Sequence, residues 1–94
     1  MTSLESRFFR LLDSFAKSEY RCSLTEMWLR DEENEYVLCF RPLAAGASAK
    51  KKQLCRYIEV DAREAMKSAR EKLLTTEIVD DMKKSLSGLW DSAQ

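Results

Sequence analysis

Phosphate binding is the chemistry for which this sequence carries the clearest set of side chains. Between Tyr36 and Ile58 there are five basic residues and no acidic one, although the chain holds sixteen of each sign. The five are Arg41, Lys50, Lys51, Lys52 and Arg56. Segregated positive charge of this kind is typical of a surface that binds a phosphate-bearing partner. The alternative is a solvated hairpin tip with no ligand, and these residues alone do not separate the two.

The residues that most enzymes use for catalysis are missing from the sequence. There is no histidine, which removes the usual general base, the histidine-assisted serine and cysteine nucleophiles, and most zinc sites. Gly46 and Gly88 are the only glycines, so there is no glycine-rich phosphate loop. The three cysteines form no Cys-x-x-Cys motif, and we interpret them as reduced, packed thiols. We therefore predict a protein that is not an enzyme and that binds no cofactor or metal.

Length and composition indicate one folded domain over residues 1–94. Hydrophobic residues make up 45% of the chain, which is more than a disordered segment contains. The net charge is zero, so nucleic-acid binding must be local or shared with a more basic partner. No apolar run has the length of a membrane span, and the first residues lack the apolar centre of a signal peptide. We expect a cytoplasmic chain with no membrane partner.

Two predicted strands position the basic residues. Residues 35–41 and 53–60 are rich in apolar, aromatic and β-branched side chains, and residues 42–52 form the loop between them. Residues 21–30 predict a strand ahead of these two, because the acidic turn 31–35 follows at once. The four negative charges of that turn would repel phosphate. A nucleic acid is therefore expected at the other end of the sheet.

Alternation along the strands predicts one covered and one open face. The positions expected beneath helices are Tyr36, Leu38, Phe40, Leu54, Ile58 and Val60. Those expected on the opposite face are Val37, Cys39, Arg41, Gln53, Cys55 and Tyr57. A hairpin centred near Ala47 would place Cys39 across from Cys55. Arg56 falls on the covered side, so either its head group extends to the end of the sheet or a bulge changes the register.

The facing of the first strand is ambiguous. Strict alternation would place Leu24 and Trp28 on one side and Met27 and Leu29 on the other. Both faces of this strand would then meet apolar surroundings. For Trp28, as for Tyr57, core or interface packing is the favoured role over stacking on a base.

Helical periodicity flanks the strands on both sides. Thr2 and Glu5 form a capping box ahead of a helix over residues 3–17. Asp61 caps a second helix that extends to Leu74, with a buried side formed by Ala62, Ala65, Met66, Ala69 and Leu73. After Thr75 the apolar stripe resumes, and the C-terminal helix is either bent or split in two. The predicted fold class is α+β: a single α-β-β-β-α domain with a three-stranded antiparallel sheet and helices packed on one face.

With this order of elements, the chain resembles the family of the 14-kilodalton subunit of the signal recognition particle. The similar features are Leu4-Glu5 ahead of a Phe- and Leu-containing helix, a second strand that ends in Arg41, and the run Lys50 to Lys52 before the third strand. The last strand is followed by a helix of similar length that ends near Lys84. The resemblance covers most of the chain through short motifs.

The resemblance implies an RNA-binding role without a small-molecule substrate. Members of this family pair with a 9-kilodalton subunit of the same fold as a heterodimer with a joint six-stranded sheet. The pair binds the Alu portion of the signal recognition particle RNA, and the assembled particle delays elongation at the ribosome. The ribosome is therefore an indirect partner of the chain. Carried over by motif position, the RNA-binding residues would be Arg41, Lys50, Lys51, Lys52 and Arg56. Structured RNA is recognised largely through phosphates and shape, which suits a basic sheet edge.

A second function from a different class fits the same sequence. A three-stranded sheet with one uncovered face also suits a small dimeric adaptor that binds only protein. In that case Lys50, Lys51 and Lys52 would keep a loop solvated and would bind no ligand. Salt dependence separates the two functions, because binding through several phosphates weakens steeply with added salt.

Overall fold

The first helix begins at a cap formed by its own side chains. In a computed structural model, which describes residues 1–43 and 54–92, helix α1 spans Ser3–Tyr20. The Thr2 hydroxyl accepts a hydrogen bond from the Glu5 amide at 3.1 Å, and the Glu5 carboxylate accepts one from the Thr2 amide at 2.8 Å. These bonds satisfy two amide groups that a helix start leaves without intrahelical partners, and they confirm the predicted capping box.

Helix α1 extends beyond its predicted end at Lys17. Arg21 ends it by taking a left-handed conformation with φ of 53°, and the Arg21 amide donates to the Ala16 carbonyl. Glycine usually occupies such a position, so the sequence carried no obvious stop signal. The buried side of α1 is formed by Phe8, Leu12 and Ala16, at helical spacing as predicted.

The three strands form one antiparallel sheet in the order of the chain. They are β1 (Cys22–Arg30), β2 (Glu35–Pro42) and β3 (Arg56–Asp61), with β2 in the centre. β3 begins later than the predicted Gln53, which lies outside the described residues. Asn34 closes the turn between β1 and β2 with φ of 52°, a conformation that asparagine tolerates better than most residues.

The C-terminal part of the chain is divided into helices α2 (Ala62–Glu71), α3 (Thr76–Leu86) and α4 (Leu89–Ser92). Asp61 caps α2 as predicted, since its carboxylate accepts from the amides of Arg63 and Glu64. The helical stretch formed by α3 and α4 bends by 22° where the two join. Within the described ranges, no helix combines the length and apolar character that crossing a membrane requires.

The core lies between the helices and one face of the sheet. The covered face is the predicted one: its buried members are Tyr36, Leu38, Phe40, Ile58 and Val60, and Leu54 packs partly against them. The predicted burial of Leu73 is wrong, because this side chain is 71% exposed. Helix α2 ends at Glu71, and Lys72 takes a left-handed conformation that turns Leu73 out of the buried stripe. The α-β-β-β-α architecture is otherwise confirmed.

Candidate nucleic-acid interface

The sheet face that the helices leave uncovered, called the open face below, is formed by alternate residues of all three strands. Its members by register are Glu26, Trp28 and Arg30 of β1, Glu35, Val37, Cys39 and Arg41 of β2, and Tyr57 and Glu59 of β3. Val37, Cys39, Arg41 and Tyr57 therefore share a face as predicted. The predicted pairing of Cys39 with Cys55 is wrong, because Cys39 pairs with Tyr57.

Two aromatic side chains cover the centre of the open face. Trp28 and Tyr57 lie on the outer strands, with ring centroids 6.4 Å apart and ring planes at 67°. Between them on β2, Val37 and Cys39 are 6% and 0% exposed, although none of the described helices packs on this face. The aromatic rings themselves remain 43% and 55% exposed. The centre of the open face thus carries two accessible rings, and Glu26 and Glu59 lie beside them on the outer strands.

A β-bulge places Trp28 on this face. The register between β1 and β2 shifts between Leu24 and Glu26, and the Thr25 hydroxyl donates to the Cys39 carbonyl at 3.1 Å. Leu24 therefore faces the core and Trp28 the open side, so the expectation that they share a side is wrong. Strict alternation would have put the Glu26 carboxylate on the same face as Leu24, which is buried in the core. A charged residue at a core position is the sequence signal by which the bulge could have been found.

The end of the sheet at the β1–β2 turn is acidic. Carboxylate oxygens of Glu33, Glu35 and Glu59 lie within 4.8 Å of one another, and they are the one such group among the described residues. The Arg30 guanidinium donates to Glu33 at 2.7 Å and to Glu59 at 2.9 Å, which compensates part of this charge. The hydrogen bond with Glu33, with slight burial and the Glu59 charge, raises the pKa of Glu35. This end of the sheet is unfavourable for phosphate, as predicted from the turn.

The other end of the sheet carries the described part of the predicted site. Arg41 is half-buried at the end of β2 and lies on the open face, opposite Ser23 of β1. Arg56 begins β3 on the covered face, opposite Phe40, and its guanidinium donates to the Ser85 carbonyl at 2.8 Å. The structure thus brings the two arginines to one end of the sheet but to opposite faces.

The remaining predicted contacts, Lys50, Lys51 and Lys52, lie outside the described residues. Their assignment as RNA contacts, like that of Arg41 and Arg56, stays a prediction. For Arg56 the geometry gives a structural role in addition, because its hydrogen bond satisfies a carbonyl in the last turn of α3 that lacks an intrahelical donor.

Tyr57 offers the open face both a hydroxyl and an exposed aromatic ring. The pKa of the Tyr57 phenol is raised, because a negative phenolate would be repelled by the nearby thiolates of Cys39 and Cys55. The hydroxyl is therefore protonated at neutral pH and can donate a hydrogen bond. Its exposed ring can also stack on a base or pack against an apolar side chain. Neither the contact of Tyr57 with Trp28 nor the central position of Tyr57 on this face was predicted from the sequence.

No protein-family model, no curated protein and no solved structure matches this chain. The assignment of function therefore depends on its own residues and geometry.

Proposed function

We propose that this chain is an RNA-binding subunit of the signal recognition particle Alu domain. In this role it acts in the cytoplasm as half of a heterodimer with the 9-kilodalton subunit. The heterodimer contributes to elongation delay at the ribosome during co-translational protein targeting. The α-β-β-β-α order of the chain, on which the resemblance partly rests, supports the proposal.

The observation that carries the proposal is the separation of charge along the sheet. The carboxylates of Glu33, Glu35 and Glu59 lie at the β1–β2 turn, and Arg41 lies on the open face at the other end, with the single carboxylate of Glu26 opposite Cys39 between them. At that same end β2 finishes and β3 begins, and the sequence between them contains Lys50, Lys51 and Lys52. Phosphates would thus approach the open face from its basic end.

The test is binding to a folded Alu-type RNA across a salt series, with the chain alone and with the 9-kilodalton subunit. About four phosphate contacts predict that log K falls against log salt with a slope of roughly −3 to −4. Changing Lys50, Lys51 and Lys52 together to Ala should reduce that slope to about −1 and weaken binding at low salt. Arg41→Ala should weaken it further.

A matched control removes the same charge elsewhere. The triple variant Arg63→Ala, Lys67→Ala, Arg70→Ala also takes three positive charges from the chain, but from the exposed side of α2. It should bind the RNA with an unchanged slope. Equal weakening by both triple variants would mean that only net charge matters. Absence of binding at low salt with the partner present would refute the proposal.

The second candidate function, a dimeric adaptor that binds protein and no nucleic acid, is favoured by one specific observation. Trp28 and Tyr57 expose their rings side by side, and accessible aromatic rings are frequent anchors of protein interfaces. Sedimentation of the wild-type chain and of Trp28→Ser tests this function. A dimer that is lost in the variant and unaffected by salt, together with no RNA binding, would favour the adaptor.

A further inference from the structure

A groove lies on the helical side of the molecule, away from the open face. It is a cavity of about 340 Å³ between α1 and the connection from α2 to α3, with an apolar lining formed by Leu11, Phe15, Leu73, Leu74 and Val79. A second cavity of about 290 Å³ shares Leu11, Ser14 and Lys72 with the first and extends it toward the start of α1. These two adjoining cavities are together called the helix groove below.

The apolar lining of the helix groove is only partly used by the fold. Leu11 and Val79 are half-buried but do not belong to the core cluster, whereas Phe15 and Leu74 pack against its edge. Leu73 stands at the rim and is 71% exposed. The left-handed Lys72 fixes this exposure, because it ends α2 and turns Leu73 outward. An apolar side chain held in water beside an apolar depression indicates an interaction surface.

The charged residues that line the helix groove have one sign. Arg7, Arg10 and Lys72 line its extension, and no acidic residue is among the described residues that line either cavity. The Arg7 guanidinium donates to the Ala69 carbonyl at 3.2 Å, which holds this charge at the boundary of α1 and α2. Asp13 of α1 points away, since its carboxylate accepts from the Leu24 amide and pairs with Lys17.

We propose that the helix groove binds an acidic amphipathic helix of a partner protein. Apolar side chains at helical i, i+3 or i+4 and i+7 spacing would fill the depression over Leu11, Phe15 and Val79. Carboxylates beside that stripe would meet Arg10 and Lys72, whose charge the partner would complement. The site is separate from the open face, so this inference does not depend on the proposed RNA binding.

The shape of the groove favours a helix over a lipid surface. Membrane-binding surfaces insert protruding apolar side chains among lipids, and here Leu73 alone protrudes while Leu11 and Val79 are recessed. A shallow apolar depression bordered by basic side chains is instead an arrangement that binds the apolar side of a helix. The basic rim then selects among helices by their flanking charge.

The experiment uses two displayed pools of helical peptides that share the same leucine pattern and differ in their flanks. Glutamates flank the pattern in one pool and lysines in the other, and both are selected against the whole chain. The glutamate pool should enrich binders. Their affinity should fall about tenfold with Leu73→Ser and by a similar factor with Arg10→Glu combined with Lys72→Glu.

Two control variants match these changes in chemistry but lie elsewhere. Leu29→Ser removes another exposed leucine, on β1, and Lys83→Glu combined with Lys84→Glu reverses two exposed charges on α3. Both should leave peptide affinity unchanged, and Leu73→Ser should leave RNA binding unchanged. Equal enrichment of the two pools, or binders insensitive to Leu73→Ser, would overturn the proposal.

Two other occupants of the helix groove give distinct results. Binding of the chain to phosphatidylserine-containing vesicles that is lost in Leu73→Ser, without peptide binding, would assign the surface to membranes and overturn the proposal. Sedimentation showing a dimer of the isolated chain that Leu73→Ser dissociates would assign it to a second copy. The Leu73→Ser variant should remain folded in both measurements, because Leu73 is too exposed to contribute much to the core.

Discussion

Strand β2 contributes Leu38 and Phe40 to one face of the sheet and Val37 and Cys39 to the other, and all four side chains are buried. The first pair is enclosed by the core cluster, which includes residues of α1, α2, α3 and α4. The second pair lies beside Trp28 and Tyr57 in the sheet, and these two rings themselves remain accessible. Equal burial therefore occurs in two different settings. One pair is packed among residues of the helices, and the other has exposed aromatic neighbours that a partner can contact.

The largest expected effect is the loss of stability on truncating the covered face. Phe40→Ala should lower the free energy of unfolding by about 3 to 5 kcal/mol, because it opens a cavity among fixed neighbours. Val37→Ala on the opposite side of the same strand should cost about 1 to 2 kcal/mol, since fewer atoms are removed and the exposed rings can close over the gap. Chemical denaturation measures both, and equal losses would mean that the open face is as rigid as the core.

The next effect concerns the hydrogen bond that joins the covered face to α1. The Tyr36 hydroxyl donates to the Glu5 carboxylate at 2.7 Å, and burial helps to raise the pKa of this phenol. Tyr36→Phe should cost about 1 to 2 kcal/mol at neutral pH, because the acceptor is charged. Measurement is by denaturation across a pH series.

The pH dependence of that loss follows from Glu5. Its pKa is lowered from the usual 4.5, first by the Thr2 amide and then by the Tyr36 hydroxyl. A lowered carboxylate pKa gives stability that is present above the unfolded value and is lost as pH falls through the folded one. The difference between wild type and Tyr36→Phe should therefore shrink below pH 4.5. A difference that stays constant down to pH 2 would contradict this contact.

A smaller effect is expected for the aromatic pair of the open face. A double-mutant cycle with Trp28→Ala and Tyr57→Ala should give a coupling energy of about 0.5 to 1 kcal/mol, because the edge-to-face contact is partly solvated. Repeating the cycle with Trp28 and Leu38 provides the comparison across the sheet. Zero coupling between Trp28 and Tyr57 would show that Val37 and Cys39 are protected by each ring independently.

The smallest effect is a gain of stability at the acidic end of the open face. The pKa of Glu35 is raised above 4.5, so its ionised form destabilises the folded state once the pH exceeds the folded value. Glu35→Gln should raise the melting temperature slightly at pH 7 and leave it unchanged well below pH 4.5. Glu32→Gln, in the same turn but outside the carboxylate group, is the control and should change little.

Local patterns in the sequence predicted the faces of β2 and β3 better than their pairing. Alternation depends only on neighbouring residues, so Leu38, Phe40 and Ile58 were placed correctly beneath the helices. The partner of Cys39 depends on how the connecting segment folds, and the predicted partner, Cys55, is two residues from the observed Tyr57. A register error of two residues leaves each side chain on the same face, so the predicted faces were correct although the predicted pairing was wrong.

Backbone conformations without a glycine signal account for the other errors. Helical periodicity was extended through Leu73, but the left-handed Lys72 ends α2 earlier and exposes that leucine. The bulge at Thr25 likewise changed which side Trp28 occupies. For Arg56 alternation gave the correct side, since the pairing of β2 with β3 shows no register shift and the guanidinium contacts the Ser85 carbonyl of α3.

The placement of the two tryptophans also gives the molecule two independent fluorophores. Trp28 lies on the open face, whereas the Arg21 guanidinium lies 4.5 Å above the Trp90 ring, near the junction of α1 and β1. A ligand on the open face should therefore change the emission of Trp28 alone. Detachment of α4 should change that of Trp90, whose ring would lose its cation. With Trp28→Phe and Trp90→Phe, a single emission spectrum can report occupancy of the sheet separately from fraying of the C-terminal helix.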